Sequence, residues 1–232
     1  MAAARKTTGK TGPAKTRATN KGAKRAPVKA TLLQAKPAPS TGLPSEPPGF
    51  LIVGIGASAG GLEAMEEFFR HMPPSSGMAF VVVSHQHAGH VSLLPSLLGK
   101  CTAMPVVEAT DGMEVKVNRA YLAPGGTNVA ILHGTLHLME PVSQERVPLP
   151  IDYFFRSLAE DQKHRAVGII LSGTGTDGTV GVRAIKAESG MTIAQEPQSA
   201  KYQGMPRSAM GAGVVDVVQP ASQMSEDRKS VV

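Results

Sequence analysis

The chain has 232 residues, 41% of them hydrophobic and 18% charged, so it is long and apolar enough to bury a globular core. A single cysteine, Cys101, excludes a disulfide framework and a cysteine-rich zinc site, and no apolar run approaches the roughly 18 residues that a membrane span needs. The formal net charge of +6 comes from the first 48 residues, and the remainder is slightly acidic, so we expect no nucleic-acid partner. No apolar signal segment follows the basic N-terminus, and we therefore expect a cytoplasmic protein.

Residues 1–48 are predicted to be a disordered basic tail. They contain ten Lys or Arg and one acid, Glu46, are rich in Ala and Pro, and have no aromatic residue. Such a segment buries too little apolar area to offset its ordering entropy. Its functional interpretation is contact with an anionic surface such as a membrane, and its alternative is a solvated linker. The folded domain is predicted to cover 49–220, followed by a frayed or truncated end at 221–232.

The folded part alternates strand and helix patterns, which predicts an α/β protein with a doubly wound, mostly parallel sheet and helices on both faces. An antiparallel hairpin at 128–139 is expected as an insertion. Ligands of such a sheet bind beyond the carboxyl ends of its strands. The predicted strands are 50–56, 79–84, 105–108, 120–123, 128–132, 136–139, 166–173, 191–195 and 213–218, and the predicted helices are 61–72, 91–98, 151–162, 177–188 and 205–210.

The first strand ends in Gly-Ala-Ser-Ala-Gly, residues 56–60, which matches the G-x-S-x-G pattern of a nucleophilic serine on a tight strand-to-helix turn. Ser58 is the candidate nucleophile, and the N–H of Ala59 is the first candidate to hold an oxyanion. The same stretch also fits a loose dinucleotide fingerprint, but that site needs an acid at the end of the second strand, where Ser84 and His85 stand. A plain tight-turn serine remains a further alternative.

The second strand is followed by His85, His87 and His90. One of these imidazoles is a candidate base for Ser58. The alternative is a metallo-hydrolase site that uses all three, because H-x-H-x-x-H is a metal-ligand spacing. That motif normally carries Asp before the third His, and Gly89 stands there. For His87 and His90 we favour ordinary polar loop residues.

A third polar strand end is the glycine-rich stretch Ser172–Gly178, which contains Asp177. A phosphate cradle is disfavoured because no GK[ST] is present and an acid at a helix start repels phosphate. Asp177 is either a helix N-cap or the carboxylate that orients the imidazole. Ser58, a histidine and Asp177 thus follow separate strands in the chain order Ser, His, Asp.

The sequence resembles the catalytic domain of the chemotaxis protein-glutamate methylesterase (CheB) family, most of all the form fused to a methyltransferase. The similar segments are VGIGASAGGLEAM, VVVSHQHAGHVSLL, LPIDYFFRSLAED, VGIILSGTGTDGTVGVRAI and SAKYQGMPRSAM, in that order from about residue 50 to 219. The resemblance implies a catalytic triad of Ser58, His85 and Asp177. It places Thr174 where the family has a Met in the oxyanion region, so the Thr174 N–H is a second candidate oxyanion donor.

The resemblance implies a serine hydrolase that removes γ-methyl esters from glutamates of chemoreceptor signalling helices, and often deamidates glutamines. It requires no metal or cofactor. The expected partners are the cytoplasmic helices of methyl-accepting chemotaxis receptors and a methyltransferase domain or protein. The alternatives are a non-catalytic signalling module of the same fold and the metallo-hydrolase of His85, His87 and His90.

Overall fold

Strands and helices alternate along the computed structural model, which describes residues 49–85, 93–140 and 149–225. In these ranges the strands are β1 (Ile52–Ala57), β2 (Ala79–Ser84), β3 (Val106–Glu108), β4 (Met113–Glu114), β5 (Arg119–Leu122), β6 (Asn128–Leu132), β7 (Thr135–Met139), β8 (Ala166–Ile170), β9 (Met191–Gln195) and β10 (Val217–Gln219). The helices are α1 (Gly61–His71), α2 (Leu94–Leu98), α3 (Pro150–Gln162), α4 (Thr179–Ala187) and α5 (Gly204–Gly211).

Seven strands form one sheet in the order β10-β9-β8-β1-β2-β5-β3, and every neighbouring pair in it is parallel. β1 is central, with Ile52 opposite Ala79 of β2 and Ala166 of β8. The other three strands form a small antiparallel sheet in the order β4-β7-β6. The predicted α/β class with a mostly parallel sheet and an antiparallel hairpin is therefore confirmed.

Side chains along β1 point alternately into two hydrophobic layers, one on each face of the sheet. Val53, Ile55 and Ala57 pack with α1 and α2 on one face, as expected from the period of two in a strand. On the other face, Ile52 packs with α3, α4 and α5. Gly54 and Gly56 also point to that face, and their lack of side chains lets α3 pack close to the sheet. α3 is thus held directly against the central strand.

Gly56→Ala is expected to lower the free energy of unfolding by about 1–3 kcal/mol, because it overpacks this contact. A Cβ at residue 56 would lie 2.4 Å from Cγ2 of Ile151, a branched side chain at the start of α3. Urea denaturation of the two proteins measures the effect. Gly211→Ala is the control, since no atom lies within 4 Å of its added Cβ. Equal stability of Gly56→Ala and wild type would show that α3 does not pack on β1 this tightly.

The turn between β6 and β7 is fixed by a carboxylate from another element. His133 and Gly134 both have positive φ, 50° and 73°, as a two-residue hairpin turn requires. Their backbone N–H groups donate to the two carboxylate oxygens of Asp161, near the end of α3. The side chain of Asp161 therefore attaches the small sheet to the helix that packs on β1.

Several predicted boundaries differ from the structure. α2 begins at Leu94 rather than 91, and residues 91 and 92 lie outside the described ranges. The last strand was predicted at 213–218, whereas β10 covers Val217–Gln219. The Val214 carbonyl and the Asp216 N–H bind Thr192 before the pairing of β10 with β9 begins. β4 was not predicted. None of the described helices is long and apolar enough to cross a membrane.

The expectation of a frayed end from residue 221 is wrong for 221–225. Ala221–Gln223 form a 3₁₀ turn, and Ala221 and Met224 are buried in the same hydrophobic layer as α1. Two apolar residues three positions apart fall on one side of such a turn, which explains the packing. Residues 1–48 and 226–232, whose disorder was predicted, lie outside the described residues.

Asp216 joins three elements and gives the fold a pH dependence. Its carboxylate accepts hydrogen bonds from Lys186 Nζ and from the N–H of Thr192, the latter at 2.9 Å. Burial alone would raise the pKa of Asp216, but the hydrogen bonds from Lys186 and Thr192 outweigh it and lower the pKa below its ordinary value. The ionised carboxylate therefore stabilises the folded state at pH values above the ordinary pKa of an aspartate.

Asp216→Asn is expected to be less stable than wild type at neutral pH, by up to about 1 kcal/mol after solvent screening. The stabilisation is lost as the pH falls through the lowered pKa, so the two proteins should converge in acid. Urea denaturation from neutral pH down to about pH 2 follows this convergence, since the ordinary pKa of an aspartate is about 3.9 and that of Asp216 is lower. Glu160→Gln, at an exposed carboxylate of α3, is the control. A stability difference that does not shrink in acid would contradict this assignment.

Candidate active site

Ser58 lies on the turn that joins β1 to α1. Its backbone N–H donates to the Ser172 carbonyl at 3.0 Å, and its own carbonyl accepts the N–H of Gly61 at 2.9 Å. Gly60 adopts a left-handed conformation, with φ 66°, and a Cβ there would lie 2.9 Å from Ser172 Oγ. A glycine is therefore required at residue 60, and the turn holds the Ser58 side chain at the carboxyl edge of the sheet.

His85 follows the last residue of β2, and β2 is paired with β1. Its Nδ1 lies 2.9 Å from Ser58 Oγ. The His85 side chain is 32% exposed, so the pair is open to a substrate from solvent. Parallel pairing of two adjacent strands that end together is what brings the hydroxyl and the imidazole into contact.

Asp177 lies beyond the end of β8, on the other side of β1, and its side chain is 1% exposed. Its Oδ2 lies 2.8 Å from His85 Nε2 and accepts the N–H of Ile151 at 3.1 Å. Its Oδ1 accepts the N–H groups of Asp152 and Gly178 at 2.9 and 2.8 Å. The Asp177 carboxylate thus caps α3, which is not the helix that follows it in the chain.

This arrangement fixes the proton on the imidazole. An ionised carboxylate can only accept, so His85 donates its Nε2–H to Asp177. Nδ1 is then the unprotonated nitrogen and accepts the Ser58 hydroxyl proton. The ring faces its two partners in the opposite sense to the serine protease triad, in which Nε2 faces the hydroxyl. The chain of hydrogen bonds still has the order hydroxyl, imidazole, carboxylate.

The two predicted oxyanion donors lie on turns beside Ser58. Neither the Ala59 N–H nor the Thr174 N–H donates to another backbone carbonyl in the described part of the chain. The N–H of Gly173, the residue before Thr174, donates to the Tyr202 carbonyl at 3.1 Å. A Cβ on Gly173 would lie 2.1 Å from the Met205 Sδ and 3.0 Å from the Ser58 Cβ, so a side chain there would displace both residues.

A buried network that sequence reasoning missed supports these turns. Ser172 Oγ donates to the Ala59 carbonyl at 2.9 Å and accepts the N–H of Tyr202 at 3.0 Å. The Ser172 N–H in turn donates to Gln195 Oε1 at 2.8 Å, at the end of β9. Both side chains are buried. A polar residue at the end of an otherwise apolar strand, Gln195, was the available signal.

Four helices begin beside the residues of this site. α1 starts just after Ser58, α3 receives the Asp177 carboxylate, α4 starts just after Asp177, and α5 is bonded to Gly173 through its Met205 N–H. Helix N-termini carry partial positive charge and free N–H groups. The site therefore favours negative charge, both on the Asp177 carboxylate and on an oxyanion that develops at Ser58.

The structure bears on two alternatives from the sequence, the three-histidine metal site and the helix-capping role of Asp177. His87 and His90 lie outside the described residues, so the structure does not describe the three-histidine metal site. Among residues 49–85, 93–140 and 149–225, no group of three His, Cys, Asp or Glu side chains is placed to hold a metal. His85 uses both ring nitrogens on Ser58 and Asp177. Asp177 contacts the imidazole and caps α3, whereas the expected cap was on the helix that follows it, α4.

Comparisons with known proteins agree on one family. Residues 53–227 match the family model described as CheB methylesterase. The protein-glutamate methylesterase/protein-glutamine glutaminase 3 of Geobacter sulfurreducens is 33% identical over 180 residues, which cover 76% of this chain and 48% of that protein. The protein-glutamate methylesterase/protein-glutamine glutaminase of Bordetella parapertussis is 36% identical over 182 residues, covering 75% and 51%.

Two further matches show the extent of the likeness. The crystal structure of the Thermotoga maritima CheB methylesterase catalytic domain superposes with a TM-score of 0.73 at 31% identity, covering 79% of this chain and 99% of that one. An uncharacterized 104.1 kDa protein of Rhodobacter capsulatus is 44% identical over 123 residues, 53% of this chain and 13% of that protein. The chain spans about half the length of the two curated methylesterases above.

Proposed function

The chain belongs to the CheB methylesterase family, and from this premise we propose that it hydrolyses γ-methyl esters of glutamate side chains on chemoreceptor signalling helices. The observation that carries the proposal is the hydrogen-bonded chain from Ser58 Oγ through His85 to Asp177, at 2.9 and 2.8 Å. Relatives named protein-glutamate methylesterase/protein-glutamine glutaminase support this substrate and add deamidation of glutamines as a second reaction.

In the proposed acylation step, Ser58 Oγ attacks the ester carbonyl while its proton passes to His85 Nδ1. The carbonyl oxygen becomes an oxyanion, held by the N–H groups of Ala59 and Thr174. Asp177 stabilises the imidazolium through Nε2. Collapse of the tetrahedral intermediate breaks the bond to the methoxy oxygen, which takes the proton from Nδ1 and leaves as methanol.

In the proposed deacylation step, water attacks the glutamyl ester of Ser58 and gives a proton to Nδ1. The second tetrahedral intermediate expels Ser58 Oγ, which recovers that proton, and the free glutamate leaves. The same steps with a side-chain amide release ammonia in place of methanol. Every proton moves through one imidazole, so the proposal needs no metal and no cofactor.

The test is methanol release from chemoreceptor membranes that were methylated beforehand. We expect release by the full chain, and no loss of activity with a chelator. If purified protein contained zinc and activity disappeared with EDTA and returned with zinc, the metallo-hydrolase alternative would replace the triad. If the protein bound receptors without releasing methanol or ammonia, it would be a non-catalytic signalling module and not the proposed hydrolase.

We further propose that the partners include the cytoplasmic helices of methyl-accepting receptors and a methyltransferase domain or protein, so that the protein acts in the cytoplasm. The matched region is 13% of a 104.1 kDa relative, which supports a setting in which this fold is one part of a larger protein. Binding of a purified receptor methyltransferase to the full chain tests the second partner, and no measurable binding would contradict it.

The basic segment 1–48 is proposed to contact anionic membrane surfaces near the receptors, since each Lys or Arg near such a surface contributes about 1 kcal/mol. Replacement of its ten basic residues with Gln is expected to reduce sedimentation with phosphatidylglycerol vesicles and to leave hydrolysis of a small soluble ester unchanged. Vesicles of neutral lipid are the control. Equal sedimentation of both proteins with the anionic vesicles would contradict membrane contact.

A further inference from the structure

Asp152 is a second buried carboxylate beside the Ser58–His85–Asp177 side chains. It lies in the first turn of α3 and is 7% exposed. Its Oδ1 accepts the N–H of Gly181, in the first turn of α4, at 2.7 Å. Among the salt bridges of the described residues, none involves Asp152. The carboxylate is therefore held by backbone amides at a helix start.

Asp152 and Asp177 cap each other's helices. The Asp177 carboxylate, next to the start of α4, accepts the N–H groups of Ile151 and Asp152 at the start of α3. The Asp152 carboxylate, at the start of α3, accepts an N–H at the start of α4. Each aspartate satisfies amides that its partner's helix leaves unpaired. The two helix starts are thus locked together by a reciprocal pair of hydrogen bonds.

Burial and a neighbouring carboxylate both disfavour the charged form of Asp152, so its position is not explained by packing alone. Burial raises the pKa of Asp152, the Gly181 N–H opposes that effect, and the nearby Asp177 charge raises the pKa further. A neutral side chain would avoid both the burial cost and the repulsion. What the carboxylate provides is an acceptor for the Gly181 N–H at the start of α4, from the helix whose first amides bind Asp177.

We infer that Asp152 is a positioning residue for the proposed hydrolysis: by bonding the Gly181 N–H it fixes the start of α4 against α3 and so holds the Asp177 carboxylate in line with His85 Nε2. This inference rests on the proposed function for its reaction, and on the hydrogen bonds for its geometry. Asp152 does not touch the reacting atoms, because its carboxylate faces the amides of α4.

The consequence is a loss of rate without a loss of substrate binding. Without the Gly181 bond, the loop that carries Asp177 is free to shift, and misplacement of a catalytic group by about 1 Å costs up to about 100-fold in rate. We expect Asp152→Ala to lower kcat about 10- to 100-fold with KM within about twofold of wild type. Asp152→Asn keeps a carbonyl oxygen for Gly181 and should retain kcat within about threefold.

The matched control is Asp161→Ala. Asp161 lies on the same helix and also accepts two backbone N–H groups, but at the end of α3 that is remote from the site. Asp161→Ala should lower the free energy of unfolding by about as much as Asp152→Ala does, and it should keep the wild-type kcat. The rate of Ser58 labelling by a fluorophosphonate is measured in parallel. That rate reports activation of the serine even if methyl esters prove to be the wrong substrate, so failure of the proposed function is distinguishable.

A proton NMR readout makes the test independent of turnover. The Nε2–H of His85, bonded to a buried carboxylate, should give a downfield signal in wild type, Asp152→Asn and Asp161→Ala, and a lost or shifted one in Asp152→Ala. If Asp152→Ala does not fold, Asp152→Ser replaces it, because a serine hydroxyl is too short to reach Gly181. Rates and NMR signal equal to those of Asp161→Ala, or no rescue by Asp152→Asn, would overturn the inference.

Discussion

Replacing Ser58 with alanine is expected to abolish hydrolysis, lowering kcat by about 10⁴- to 10⁶-fold. In the proposed mechanism Oγ of Ser58 forms the covalent intermediate, and no other hydroxyl is hydrogen-bonded to His85 in the described structure. The fold should be retained, because the backbone N–H and carbonyl of Ser58, not its side chain, bind Ser172 and Gly61. Methanol release and the melting temperature are measured on the same preparation.

A fluorophosphonate probe gives the covalent counterpart of this result. It should label wild type at Ser58 and leave Ser58→Ala unlabelled. Ser96→Ala, at an exposed serine of α2, is the control and should match wild type in both assays. Retention of more than about a tenth of wild-type methanol release by Ser58→Ala would show that the serine mechanism is wrong, since no covalent intermediate would then be required.

Asp177→Asn is expected to lower kcat by about 10⁴-fold. Two backbone amides, from Asp152 and Gly178, point at Oδ1, so the asparagine must place its carbonyl oxygen there. Its NH₂ group then faces His85 Nε2, where the carboxylate oxygen stood. An NH₂ donor holds the proton of His85 on Nδ1, and that nitrogen can no longer accept from Ser58.

The kinetics of Asp177→Asn are compared with those of two histidine variants. His85→Gln should lose nearly all activity, while His87→Gln should lose about tenfold or less, through altered substrate fit. Asp161→Asn, at a partly buried carboxylate that also accepts backbone amides, is the control. Equal sensitivity of His85, His87 and His90 to substitution would favour the metal site, and full activity of Asp177→Asn would remove the carboxylate from the mechanism.

The sequence contained enough to predict the sheet and the location of the candidate site. Apolar runs that end in glycine or polar residues identify parallel strands, and adjacent parallel strands bring their carboxyl ends together. Ser58 could be singled out because its tight turn excludes large neighbours. The choice of His85 over His87 needed the family resemblance, since both follow the same strand and no periodicity separates them.

Other features depend on contacts that no local pattern encodes. The sequence alone does not show which imidazole nitrogen faces Ser58, because that depends on where β8 places Asp177 relative to the ring. The capping of α3 by Asp177 joins residues far apart in the chain, so the local expectation was a cap on the following helix. Asp152 was not singled out from the sequence for the same reason, since its partner Gly181 is 29 residues away.

The central position of β1 also constrains how the chain folds during synthesis. β1 pairs with β2 a short way along the chain, but its other edge waits for β8, from Ile52 to Ala166. Until β8 emerges from the ribosome, that edge exposes unpaired backbone groups and an apolar surface, both of which favour aggregation. Such long-range parallel pairing is intrinsically slow, so the nascent chain is most vulnerable before β8 has been translated. Slower translation before β8 would therefore lengthen the interval in which the unfinished sheet can associate with other chains.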